Sequence, residues 1–139
     1  MLFDIFKFLD PYEVIVFDFG GVLHQKQHHR TKRDTKQIIQ DLKKIESIID
    51  LLSFDHPLVI LSNSPKKEIQ KILKDAEMDI YFRRVYGGEK YQSKVKRLEK
   101  IRNQMGTENI ILLDNNSFNI KEAKENGISA YEITYEDLI

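Results

Sequence analysis

Apolar residues along this chain fall into two alternating patterns. Val14–Phe17 and Leu58–Leu61 are almost wholly apolar and rich in β-branched or aromatic residues, and Ile110 to Leu113 resembles them. Such runs suit strands buried on both faces of a parallel sheet. Between the first two, Ile38, Leu42, Ile45, Ile49 and Leu52 recur at three- and four-residue spacing with Lys, Gln and Asp among them, which predicts one amphipathic helix. Ser64 is expected to cap the next helix, with Pro65 at its first position and Ile69, Ile72, Leu73 and Ala76 as its inner stripe. A strand is expected from Tyr81 to Tyr86. Val95, Leu98, Ile101 and Met105 mark a further helix ended by Gly106, and a last helix is predicted from Phe118 to Asn126, stopped by Gly127.

Parallel strands need crossovers, and the crossovers cover the sheet. The alternation therefore predicts an α/β protein: a single-domain three-layer sandwich around a central, mostly parallel, Rossmann-like sheet. Residues 13–139 would form the core. Residues 1–12 form an amphipathic N-terminal segment, with Leu2, Ile5, Phe6 and Leu9 on one helical face before Pro11. Covering the domain's own core is the first expectation for that face, and pairing of subunits the second.

Charge narrows the function. The 22 Lys and Arg balance the 22 Asp and Glu, so no net field favours nucleic acid or an acidic membrane, and any anion site must be local. The absence of Cys removes thiolate catalysis and Cys-ligated metal sites. No apolar run approaches the roughly 20 residues of a membrane span, and no signal-peptide pattern opens the chain. The expected location is the cytoplasm.

Each apolar run ends in polar residues, and ligands of open α/β sheets bind beyond the carboxyl ends of the strands. Asp18 ends the first run and is followed by Phe19, Gly20 and Gly21; the glycines allow a sharp turn whose N–H groups can face an anion such as a phosphoryl group. Ser62 and Asn63 end the second run, and Asp114, Asn115 and Asn116 end the third. Adjacent strands would gather Asp18, Ser62 and Asp114, and two carboxylates can hold Mg²⁺ through oxygen.

These segments also resemble a known family. VIVFDFGGVL is similar to the first motif of the haloacid dehalogenase-like superfamily, LVILSNS to its second, the lysine near SKVKRLEKI to its third, and IILLDNNSFNIKEAKENGI to its fourth. The resemblance implies a phosphatase in which Asp18 attacks phosphorus, forms an aspartyl-phosphate and ligates Mg²⁺ together with Asp114 and the Gly20 carbonyl, while Asn115 orients metal-bound water. It implies phosphate binding by Gly20, Gly21, Ser62, Asn63 and a lysine that offsets charge. Lys94 is the choice for that lysine, because Ser93 can cap its helix; Lys90 is the alternative.

Three departures qualify the resemblance. Related phosphatases carry a general-acid Asp two residues after the nucleophile, where this chain has Gly20. The fourth motif usually has a second acid, and here it is Asn115. The intervals after the first two motifs are too short for a cap domain, so a phosphorylated substrate, macromolecular or covered by another subunit, is the expected partner. His24 is the first stand-in for the missing acid, although a solvated loop is the default reading of His24, His28 and His29. A catalytically reduced domain binding a phosphorylated partner is the alternative function; dehalogenation ranks last.

Overall fold

The computed structural model describes residues 4–25, 34–88 and 93–139. The chain runs α1 (Ile5–Leu9), β1 (Val14–Phe17), α2 (Thr35–Lys44), α3 (Glu46–Asp55), β2 (Leu58–Leu61), α4 (Lys66–Asp75), β3 (Arg84–Tyr86), α5 (Lys94–Met105), β4 (Ile110–Asp114), α6 (Ser117–Glu125) and β5 (Ser129–Glu132), with short 3₁₀ turns at Asp79–Tyr81 and Tyr135–Asp137.

The five strands form one sheet in the order β3-β2-β1-β4-β5, and every pairing is parallel. The chain builds outward from β1 through β2 to β3, then returns across the sheet to place β4 on the other side of β1. The β1–β4 boundary is thus a topological switch point, where the connections diverge and leave a crevice at the strand ends.

Side-chain alternation divides the strands between two cores. Ile15, Phe17, Leu58, Ile60, Ile111 and Leu113 face the helical stripe Ile38, Leu42, Ile45, Ile49 and Leu52 and the stripe of α4. Val14, Val16, Val59, Leu61, Ile110 and Leu112 face Leu98 and Ile101 of α5 and Ile120 and Ala123 of α6. Each fully buried Ile or Leu stabilises the fold by roughly 1.5–3 kcal/mol over an exposed one. These two layers make the three-layer sandwich predicted from the pattern. Ile5 and Leu9 of α1 belong to the first core; Leu2 lies outside the described residues.

Four details differ from the sequence reading. The single helix expected from Ile38 to Leu52 is two, interrupted at Ile45, whose N–H bonds the Leu42 carbonyl at 3.1 Å in a tighter turn. Ile45 stays buried, so the apolar stripe continues across the break. Pro65 is itself the N-cap of α4, with extended ψ of 134° and no side-chain cap from Ser64. Only Arg84–Tyr86 of the 81–86 segment is strand. The apolar pattern does not mark β5: of its four residues only Ala130 is buried, as befits an edge strand.

Candidate active site

Strands β1 and β4 are held in register up to the pair Phe17 and Leu113, and the Asp18 N–H bonds the Leu113 carbonyl at 2.9 Å. Asp18 and Asp114 therefore leave the sheet side by side. Lys94, the first residue of α5, bridges them: its Nζ lies 3.0 Å from Asp18 Oδ1 and 2.7 Å from Asp114 Oδ2. Ser93 caps the helix, its Oγ accepting from the Lys96 N–H at 3.3 Å, and so fixes where Lys94 begins. Lys90 lies outside the described residues.

The three side chains differ in exposure. Asp114 is fully buried, Lys94 is 8% exposed and Asp18 is 14% exposed. Asp114 is held by three partners: Oδ1 accepts the Asn116 N–H at 2.9 Å, and Oδ2 accepts Lys94 and Asn119 Nδ2, the latter at 3.1 Å. Asp18 is thus the more exposed of the two carboxylates. Burial pushes its pKa up from 3.8 to about 6; Lys94 opposes the rise by charge and hydrogen bond, and the like charge of Asp114 adds to it.

A cleft of about 250 Å³ opens over these groups, lined by Asp18, Gly20, Ser62 to Ser64, Lys94, Asp114 to Asn116 and Asn119. The polar ends of β1, β2 and β4 are therefore brought together as the sequence suggested. Larger surface hollows lie elsewhere, near Glu99 and Arg102 and near Phe54 and Ile80, but neither gathers comparable chemistry.

Gly20 and Gly21 have different reasons to be glycine. Gly21 has φ of +91°, and a Cβ there would overlap the Asn115 side-chain amide. Its N–H donates to the His24 carbonyl at 2.8 Å and its carbonyl accepts from the Tyr135 N–H at 2.8 Å, so the expectation that it presents its N–H to an anion does not hold. Gly20 has neither constraint. A Cβ there would meet only the His24 ring, at 3.7 and 3.8 Å, which is ordinary contact. His24 packs edge-on against Phe19, and its Nδ1 lies 3.0 Å from the Gln25 carbonyl, which can only accept, so Nδ1 carries a proton. His28 and His29 lie outside the described residues.

The donor set suits a hard cation. Asp18 and Asp114 supply carboxylate oxygen and Gly20 lines the same cleft, while no cluster of three His, Cys, Asp or Glu exists among the described residues. Mg²⁺ asks for no more, because it keeps several waters and commonly binds one or two carboxylates plus phosphate. Asn115 also lines the cleft, with its amide packed on Gly21.

Sequence reasoning missed two participants. Asn119 is recognisable afterwards as the residue that α6 turns back toward the strand end. Arg97, hydrogen-bonded to the end of β2, lies in a basic stretch that reads as a solvated helix face.

No protein-family model matches the sequence, and no curated protein matches it. Solved structures do. A hydrolase of the haloacid dehalogenase-like family from Streptococcus pneumoniae aligns with a TM-score of 0.66 at 16% identity, over 90% of this chain and 86% of that one. A haloacid dehalogenase-family enzyme from Bacteroides thetaiotaomicron, in complex with magnesium and inorganic phosphate, aligns with a TM-score of 0.67 at 15% identity, over 89% of this chain and 95% of that one. The chain has the haloacid dehalogenase-like fold. A predicted phosphoglycolate phosphatase from Haemophilus somnus shares the fold too, with a TM-score of 0.65 at 13% identity over 90% of this chain and 86% of that one. In this chain, α2 and α3 after β1 and α4 after β2 all pack into the core, and no cap domain stands among the described residues. No helix among them is long and apolar enough to cross a membrane.

Proposed function

We propose that this chain is a Mg²⁺-dependent phosphatase that hydrolyses phosphoric monoesters through an aspartyl-phosphate on Asp18. The observation that carries the reading is the Asp18–Lys94–Asp114 cluster at the switch point of the sheet, with both carboxylates lining the cleft and Asp18 the more exposed of the two. The magnesium and phosphate in the Bacteroides enzyme of the same fold support it.

An Asp18 carboxylate oxygen attacks phosphorus in line, the P–O bond to the leaving group breaks, and the leaving oxygen takes a proton from solvent. Water then attacks the acyl phosphate, releasing inorganic phosphate and restoring Asp18. Lys94 lowers the cost of charge on the nucleophile and on the transferring group, the Ser62 hydroxyl donates to a phosphoryl oxygen, and Asp114 holds Lys94 in place. Mg²⁺ bound by Asp18, Asp114 and the Gly20 carbonyl would neutralise charge on the phosphoryl oxygens.

With Gly at position 20 the leaving group departs without a carboxylic acid from that position, so substrates with acidic leaving groups should turn over best. Hydrolysis of an activated aryl phosphate, with Mg²⁺ and with chelator, tests the reading. Mg²⁺-dependent turnover supports it. No turnover at saturating Mg²⁺, with phosphate still bound, would favour the alternative of a domain that binds a phosphorylated partner.

A further inference from the structure

The first turn of α5 carries a second buried cation. Arg97 is 2% exposed and stands one turn after Lys94, on the same side of the helix. Its guanidinium reaches the end of β2: one terminal nitrogen donates to the Ser62 carbonyl at 2.7 Å and the other to Asn63 Oδ1 at 3.1 Å. Lys94 ties the ends of β1 and β4 together, and Arg97 adds the end of β2 to the same clamp.

The chemistry of this contact sets the direction of an amide. Guanidinium has donors only, so the Asn63 oxygen must face it and the Asn63 nitrogen, with two N–H donors, must point away. Asn63 is exposed and lines the cleft over Asp18 and Lys94. Among the described residues nothing else hydrogen-bonds its side chain.

We propose that Arg97 is a positioning residue: it turns the Asn63 amide so that Nδ2 donates to a phosphoryl oxygen. The inference rests on the phosphatase reading of the cleft and extends it to a residue that never touches substrate. Lys cannot replace Arg here, because its ammonium is a point donor without the fork that spans a carbonyl and an amide oxygen together.

Inorganic phosphate, titrated calorimetrically into the Mg²⁺-loaded protein, is the probe, with melting measured on every variant. Asn63→Ala should weaken phosphate binding about tenfold or more, the usual effect of losing a hydrogen bond to a charged group. Arg97→Lys should weaken it comparably in the parent and much less once Asn63→Ala is present, because the two changes remove the same donor. Equal loss in both backgrounds would overturn the proposal, as would parent-like affinity in Asn63→Ala. That exposed substitution decides alone if Arg97→Lys does not fold. A parent that binds and releases phosphate normally, with Asn63→Ala unchanged, sinks only this inference; a parent that binds no phosphate sinks the phosphatase reading and this inference with it.

Discussion

Replacing Gly20 with Asp isolates the chemical consequence of the missing acid. The backbone at Gly20 is not left-handed, and an added Cβ meets only the His24 ring at ordinary contact distance, so the turn accepts a side chain. Losing glycine's freedom in the unfolded chain contributes about 0.4–1 kcal/mol of stability. Against that stands a third carboxylate near Asp18 and Asp114. A folded variant is therefore expected, with a melting point close to that of the parent when Mg²⁺ is present. General acid catalysis is worth about 10²- to 10⁴-fold, and the lower end corresponds to about 3 kcal/mol of barrier. The gain should appear where the leaving group needs a proton. For an alkyl phosphate kcat/KM should rise by up to about 10²-fold, whereas for an activated aryl phosphate it should change little. Steady-state kinetics on the two substrates, alongside melting, reads this directly. A well-folded variant that accelerates both substrates equally, or neither, refutes the view that Gly20 marks an absent proton donor.

Asp18→Asn should abolish turnover, and it should also stabilise the protein in chelator at neutral pH. The sign follows from the raised pKa: the folded state holds the proton more tightly than the unfolded chain, so stability falls as pH climbs from about 4 to 6, by at most about 3 kcal/mol. Denaturant melts should show the asparagine variant ahead of the parent at pH 7.5 and level with it near pH 4; a constant gap would contradict the cause. Asp114→Ala should raise the Mg²⁺ requirement or remove activity, since it takes away a proposed metal ligand and one anchor of Lys94, and a Mg²⁺ titration of aryl phosphate turnover checks this. Gly21→Ala should destabilise the fold by about 1–3 kcal/mol, because it forces a side chain into a left-handed position and against Asn115, whereas the matched change at Gly20 should cost little. Thermal melts of the two alanine variants compare them.

What could be read beforehand follows from burial. The three central strands are covered on both faces, so they appear as unbroken apolar runs, and the polar residues that end them mark the cleft. At the sheet's edges the signal fades: Ser129–Glu132 buries only Ala130, and β3 has three residues. The break at Ile45 is invisible because that residue is buried with or without it. Ser93, Lys94 and Gly106 were legible as helix punctuation, and Gly106 caps α5 with φ of +70°. Arg97 was not, because Lys94, Lys96, Arg97 and Lys100 look alike in sequence, and only tertiary packing decides which of them is buried. The difference between Gly20 and Gly21 was hidden for the same reason, since it depends on what each α-carbon faces.

Phosphorus should become bonded to Asp18 during turnover. Acid quenching of the protein as it hydrolyses an aryl phosphate in Mg²⁺, followed by mass spectrometry of its peptides, tests this most directly. A phosphoryl group on the peptide containing Asp18, labile to hydroxylamine and missing from Asp18→Asn, is the predicted result. Steady turnover with the phosphoryl group trapped on Ser62 instead would rule out Asp18 as the nucleophile.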